Sequence, residues 1–213
     1  MKPFKTHRGV VVPLNRANVD TDQIIPKQFL KSIQRTGFGR NLFQDWRYLP
    51  DGRNNPDFPL NQERFADASI LVTGNNFGCG SSREHAVWAL TEYGIRVILA
   101  PSKKRDGGVV PAFADIFKNN ALKNGILAIE MPSKEIDEIF EAITCYHGLH
   151  ATVDLEKQTI VFHASKEFSF KFQIDQAIRE RLLKGLDDIG LTLQKEEAIG
   201  EYERQHNPSP GAR

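Results

Sequence analysis

Apolar residues in this chain fall into short β-branched runs set off by polar, glycine-rich turns, alternating with stretches where they recur every three or four positions. Gly9 to Leu14 is the first run and predicts a buried strand. The turn-rich segment Asn15 to Asp22 follows, and Ile24-Ile25-Pro26 leads into a short helix at Lys27 to Ser32. Ser69 to Thr73 predicts a second buried strand. Beyond it Ala86, Ala89, Leu90 and Tyr93 stand at i, i+3, i+4 and i+7, so a helix follows, closed by Gly94 before a strand at Arg96 to Ala100. Strand, helix and strand in that order predict a βαβ unit with a parallel pair and a right-handed crossover.

The helical period returns at Phe113 to Leu122, followed by the turn Asn124-Gly125 and a strand at Ile126 to Ile129. Ile136, Ile139, Phe140 and Ile143 then make one face of a helix that Ser133 is expected to cap. Period-two alternation in Ala151 to Leu155, Thr159 to Phe162 and Phe168, Phe170, Phe172 predicts antiparallel strands. Asp175 caps a helix with Ala177, Ile178, Leu182 and Leu186 inward, and Gln194 to Arg204 predicts a polar last helix before the tail Pro208-Ser-Pro-Gly. Between Gln34 and Asn61 proline and glycine break every periodicity, which predicts a long loop whose aromatics Phe38, Phe43, Trp46 and Tyr48 settle on the body. The fold class is α/β, with a main domain over residues 1–193 and a C-terminal helix and flexible tail over 194–213.

Composition narrows the function classes. A chain of 213 residues with 40% hydrophobic and 26% charged positions buries a proper core without staples. Its 28 Lys+Arg against 27 Asp+Glu leave a net charge of +1 and no basic run, so nucleic acid is not an expected partner. No apolar stretch approaches the roughly 18 residues of a membrane span, and no segment resembles a secretory signal, so a cytoplasmic address is expected. Two cysteines, Cys79 and Cys145, make neither a disulfide framework nor a thiolate set, and His7, His147, His150, His163 and His206 lack ligand spacing. No metal site is expected on this chain.

The densest chemistry is Gly78-Cys79-Gly80-Ser81-Ser82-Arg83-Glu84-His85, set between a strand and a helix. Free amides at a helix start and the helix dipole favour an anion there, glycines let it approach the backbone, and Arg83 adds a planar fork for a carboxylate or phosphate. No lysine completes a P-loop, and Arg83 stands where a dinucleotide fingerprint wants a small residue. The plain alternative is that Ser81 caps the helix and Arg83 makes a surface ion pair. Asp20-Thr21-Asp22, after the first strand, admits metal binding, orientation of a cation, or a simple Asx-turn before Ile24. Cys79 beside a helix start lacks a His and Asn partner pattern for thiol catalysis.

Five motifs give these residues a family. Ala17 to Leu30, Arg35 to Gly39, Asn76 to His85, Phe113 to Phe117 and Gly185 to Leu193 occur in the order seen in small subunits of the bacterial isopropylmalate isomerase (3-isopropylmalate dehydratase) of the aconitase superfamily, which this sequence resembles. The resemblance implies an aconitase-like swivelling β/β/α domain with C-terminal helices, active only with a large subunit that carries a four-iron, four-sulfur cluster. It implies interconversion of 2- and 3-isopropylmalate through isopropylmaleate, in leucine biosynthesis, with the iron acting on the leaving hydroxide. Ser81 then resembles the catalytic base, Arg83 a ligand of the substrate carboxylate, and Ser82 a helper; Gly80, Asp20, Thr21 and Asp22 line or orient the substrate site. The stretch Phe29 to Phe38 resembles a specificity loop, with Leu30 and Ile33 as candidates for the isopropyl pocket. A homoaconitate or other substituted-malate hydro-lyase subunit, and a non-catalytic anion-binding module, are the competing readings. One departure is Lys103 to Ala112, ten residues where the family pattern runs straight from Ala100-Pro101-Ser102 into Phe113. It reads as a solvated loop extension, altered docking of the large subunit or substrate access being the alternative.

Overall fold

The computed structural model describes residues 1–31, 36–105 and 108–206. Strand β1 (Thr6–Leu14) leads into a one-turn helix α1 (Thr21–Ile24), a 3₁₀ turn at Lys27–Lys31 and a second short helix α2 (Gln44–Arg47). Then come β2 (Ala68–Thr73), α3 (Glu84–Tyr93), β3 (Val97–Pro101), β4 (Lys103–Arg105), β5 (Gly108–Val110), α4 (Asp115–Lys123), β6 (Leu127–Met131) and α5 (Ser133–Cys145). The chain continues through β7 (His150–Asp154), β8 (Thr159–His163), β9 (Phe168–Lys171), α6 (Gln176–Lys184), α7 (Asp188–Leu193) and α8 (Glu196–His206).

Seven strands form one mixed sheet in the order β6-β3-β2-β1-β7-β8-β9. The half from β6 to β1 is parallel, and β7 to β9 run as an antiparallel meander from the other edge of β1. Composition explains the division. Val97, Ile98, Leu99 and Ala100 are wholly buried, as a parallel strand covered on both faces requires. The β7 and β8 strands instead bury Ala151, Val153, Ile160 and Phe162 at alternate positions and leave the other face wetter. Helix α5 lays Ile136, Ile139 and Ile143 against the parallel half, over β1, β2 and β3.

The expected elements occur with shifted ends, and four local readings change. The prolyl-rich stretch before β2 holds α2 and 3₁₀ turns at Gly39–Asn41, Pro59–Asn61 and Glu63–Phe65 rather than plain loop. Its aromatics settle as expected: Phe43 is buried and stacks on Trp46 with centroids 5.6 Å apart and planes at 13°. Ser133 does not cap α5; it is the first helical residue after Pro132, and its hydroxyl donates to the Ser102 carbonyl at 3.1 Å. Helix α7, which the periodicity did not predict, is held by the Asp187 carboxylate accepting from the Gly190 amide at 2.8 Å. Within Lys103 to Ala112, β4 and β5 pair antiparallel, and Pro111 and Ala112 rejoin the body by accepting from the Asn76 and Phe77 amides. The expected cap at Asp175 is present, its carboxylate accepting from Ala177 and Ile178.

Strand direction decides where a site forms. Neighbouring strands β1, β2 and β3 release three segments at their carboxyl ends: Asn15 to Asp20, Gly74 to Arg83, and the hairpin. This is the end at which open α/β sheets bind ligands.

Candidate active site

Backbone hydrogen bonds extend the sheet beyond its strands and lace the three segments together. Asn18 donates to Asn75 at 2.9 Å, Gly78 to Val19 at 2.7 Å and Thr21 to Cys79 at 3.0 Å. On the other side Asn76 donates to Pro111 at 2.8 Å, Phe77 to Ala112 at 3.0 Å and Ala114 to Phe77 at 3.0 Å. The glycine loop is therefore clamped between the segment after β1 and the segment entering α4. Two glycines make the clamp possible. Gly78 has φ +74°, and a Cβ there would lie 2.1 Å from the Phe117 ring; Gly80 has φ +86° and passes the Asp20 side chain.

Ser81 and Ser82 stand exposed at the crest of this loop, and Arg83, half-buried, is the N-cap residue of α3. No side chain caps α3, so Ser81 is not the helix cap that the plain alternative supposed. The buried Thr21 hydroxyl donates to the Ser81 carbonyl at 2.8 Å, fixing the serine's backbone from the neighbouring segment. Asp22 forms an ion pair with Arg83 Nη1. The two aspartates thus divide the work that the sequence left open. Asp20 builds a capping box with Gln23, accepting from its amide at 2.9 Å while the Gln23 side chain takes the Asp20 amide at 3.0 Å. Asp22 orients the cation.

Ser81, Ser82 and Arg83 face a cleft of about 280 Å³ whose opposite wall is the start of α4, formed by Ala114, Asp115, Ile116 and Phe117, with Thr21 and Gly80 at its side. Helix α4, like α3, has no side-chain cap. The starts of α3 and α4, neither capped by a side chain, border one cleft beside a guanidinium, an arrangement that favours a small anion. The α4 wall was not among the candidate site residues that the sequence suggests. Its signal lies in Phe113 to Phe117, a family motif just after the hairpin that follows a parallel strand.

Leu30 lies elsewhere: it is half-buried against the core and does not line this cleft, while Ile33 falls outside the described residues. A second, open cavity of about 430 Å³ borders that segment, lined by Gln28, Phe29, Thr36, Gly37, Phe38, Arg40 and Asn41. Cys79 sits half-buried under the loop, and burial together with the Asp20 charge pushes its thiol up, away from the reactive thiolate. Among the described residues no three His, Cys, Asp or Glu side chains gather as metal ligands. Cys79 and Cys145, on the glycine loop and at the end of α5, do not make an iron–sulfur cradle.

Comparison with known proteins turns this geometry into a family. The model of the aconitase C-terminal domain matches residues 1–134, and that of the C-terminal domain of the 3-isopropylmalate dehydratase small subunit matches residues 188–209. A 3-isopropylmalate dehydratase small subunit of Desulforapulum autotrophicum is 57% identical over 95% of this chain and 95% of its own length. The chain belongs to the 3-isopropylmalate dehydratase small-subunit family. A member from Bacillus licheniformis is 53% identical over 97% of this chain and 98% of its own. A crystal structure of 3-isopropylmalate dehydratase from Methanocaldococcus jannaschii superposes with a TM-score of 0.63 at 25% identity, covering 93% of this chain and 99% of that one. Family membership makes this chain a component of a hydro-lyase, and a small subunit implies a larger one. No helix among the described residues is long and apolar enough to cross a membrane.

Proposed function

We propose that this chain supplies the proton-transfer half of an isopropylmalate isomerase, with Ser81 as the base and Arg83 as the carboxylate ligand. The observation that carries the reading is the convergence on one open cleft of Ser81, the Asp22-oriented Arg83 and two uncapped helix starts. A serine hydroxyl is a poor base in water. Amide donors and a guanidinium beside it favour the alkoxide, and the same donors hold the substrate's carboxylates.

In the forward direction the Ser81 oxygen takes the proton from the substrate carbon bearing a carboxylate. The electron pair of that C–H bond becomes the new double bond as hydroxide leaves the neighbouring carbon, giving isopropylmaleate; addition of water in the opposite sense yields the isomeric malate. Arg83 keeps one nitrogen on Asp22 and turns its remaining N–H groups to a carboxylate of the substrate. Ser82 and the Gly80 backbone complete the anion cradle, Thr21 holds the Ser81 carbonyl in place, and Asp20 keeps α1 in register with the loop. Departure of the hydroxide falls to the large subunit, whose four-iron, four-sulfur cluster the resemblance implies and for which this chain has no ligands among its described residues. Leu30 and Ile33 are assigned to the side-chain selectivity of the assembled site.

The test is co-expression with a cluster-bearing large subunit, anaerobic reconstitution, and the ultraviolet absorbance of isopropylmaleate formed from isopropylmalate. Turnover that requires both chains supports the reading. A co-purifying, cluster-loaded complex inert to isopropylmalate and active on another substituted malate overturns the substrate assignment.

A further inference from the structure

We propose that the β4–β5 hairpin is a docking arm for the large subunit, presenting Lys104 and Val109 from one face to a surface that carries carboxylates around an apolar pocket. The inference rests on the reading of this chain as one half of a two-subunit enzyme.

Among the described residues the two strands pair with each other and form a sheet separate from the seven-stranded one. A two-stranded ribbon is marginal in water by itself, and the Lys104–Val109 face of this one is exposed, so a covering surface there supplies what the hairpin lacks. In its register Lys104 stands opposite Val109, which places both side chains on one face. Both are exposed, Val109 to 61%. On the other face Val110, opposite Lys103, is half-buried. Among the described residues neither Lys103 nor Lys104 has an acidic partner; the ion pairs of this chain lie elsewhere.

Position selects the occupant. The hairpin leaves the carboxyl end of β3 and returns through Pro111 and Ala112, whose carbonyls take the amides of Asn76 and Phe77 directly before the Gly78 turn. Whatever seats on the arm is led to the mouth of the Ser81 cleft, where Ile116 is 54% exposed. Among the described residues Val109 and Ile116 are the exposed large apolar side chains outside the last two helices. The partner that must reach this cleft to complete the reaction is the large subunit. Exposed cations beside an apolar contact are the composition of an interface rim, where charge sets the rate of encounter and apolar burial sets the lifetime.

The experiment measures association of the full chain with the large subunit by surface-immobilised binding at several salt concentrations, for wild type, Lys104→Glu, Lys104→Arg and Val109→Asp, with melting curves to show that each variant folds. Lys104→Glu is expected to slow association about fivefold at low salt, an effect that fades at high salt, and Lys104→Arg to behave as wild type. Val109→Asp is expected to speed dissociation about tenfold. In each variant kcat at saturating large subunit stays at the wild-type value. Wild-type binding by both Lys104→Glu and Val109→Asp at every salt concentration overturns the proposal. So does a raised KM for isopropylmalate with unchanged association, which would make the cations gatherers of substrate. Binding is read without substrate, so an inert wild-type complex overturns the reaction assigned above while the binding constants still decide the docking.

Discussion

Asp22 and Arg83, 61 residues apart in the chain, close an ion pair that ties α1 to the N-cap of α3. The arginine side chain is 18% exposed and the aspartate 48% exposed, so the pair adds little to stability and its consequence is geometric. It leaves the guanidinium one committed nitrogen and one direction in which to point.

Asp22→Asn keeps the shape and removes the charge. KM for isopropylmalate is expected to rise about tenfold, the scale of one charge-assisted hydrogen bond weakened, with kcat changed less than about threefold. The melting temperature stays within about 2 °C of wild type, as a partly exposed ion pair allows. Steady-state kinetics of the reconstituted complex and a thermal melt of this chain check both halves.

Gly78→Ala meets two obstacles, the left-handed φ of +74° and a Cβ placed 2.1 Å from the Phe117 ring. A loss of about 2–4 kcal/mol in unfolding free energy is expected, from backbone strain plus overpacking. Urea unfolding of the isolated chain measures it. A loss below about 0.5 kcal/mol, the range of an ordinary surface substitution, would mean that the loop is not clamped as described.

His7, on β1, meets the Ser69 hydroxyl at 2.8 Å, and its pKa is lowered by burial and then by the Arg96 charge. The fold therefore prefers the neutral ring. Its stabilising contribution is complete above the ordinary histidine value of 6.5 and fades as pH falls from there toward the lowered native value, where the unfolded chain binds the extra proton. Melting temperature should drop between about pH 7 and pH 5.5 in the wild type. His7→Asn should flatten that interval; an unchanged slope contradicts the assignment.

The two thiols should react at different rates. Cys145 is exposed at the end of α5, whereas Cys79 is half-buried with its thiol pushed up by burial and by Asp20. At about pH 8 iodoacetamide should modify Cys145 more than about tenfold faster, as followed by peptide mass mapping.

Apolar period and turn chemistry made most of the fold legible. The βαβ unit over Ser69 to Ala100 shows its parallel type in the order of strand, helix and strand, and the meander over Ala151 to Phe172 shows its antiparallel type in period-two alternation. Other features carried no such signal. The hairpin of Lys103 to Val110 is polar and glycine-rich, with too few apolar positions for alternation to register, so it reads as loop. Ser133 resembles a cap in sequence, yet Pro132 already has the extended backbone of the N-cap position, and the serine turns to Ser102. At the site, Ser81, Ser82 and Arg83 stood out because their chemistry is local. The pairing of Asp22 with Arg83 and the facing of the α4 wall onto the cleft depend on tertiary neighbours that no local pattern encodes, whereas the Asp20–Gln23 capping box is local.

The central claim is that Ser81 is the base, and the direct measurement is isopropylmaleate formation by Ser81→Ala in the reconstituted two-chain complex. Normal assembly is expected with a fall in kcat of about a thousandfold or more and KM little changed. Assembly with kcat within about threefold of wild type would contradict the assignment.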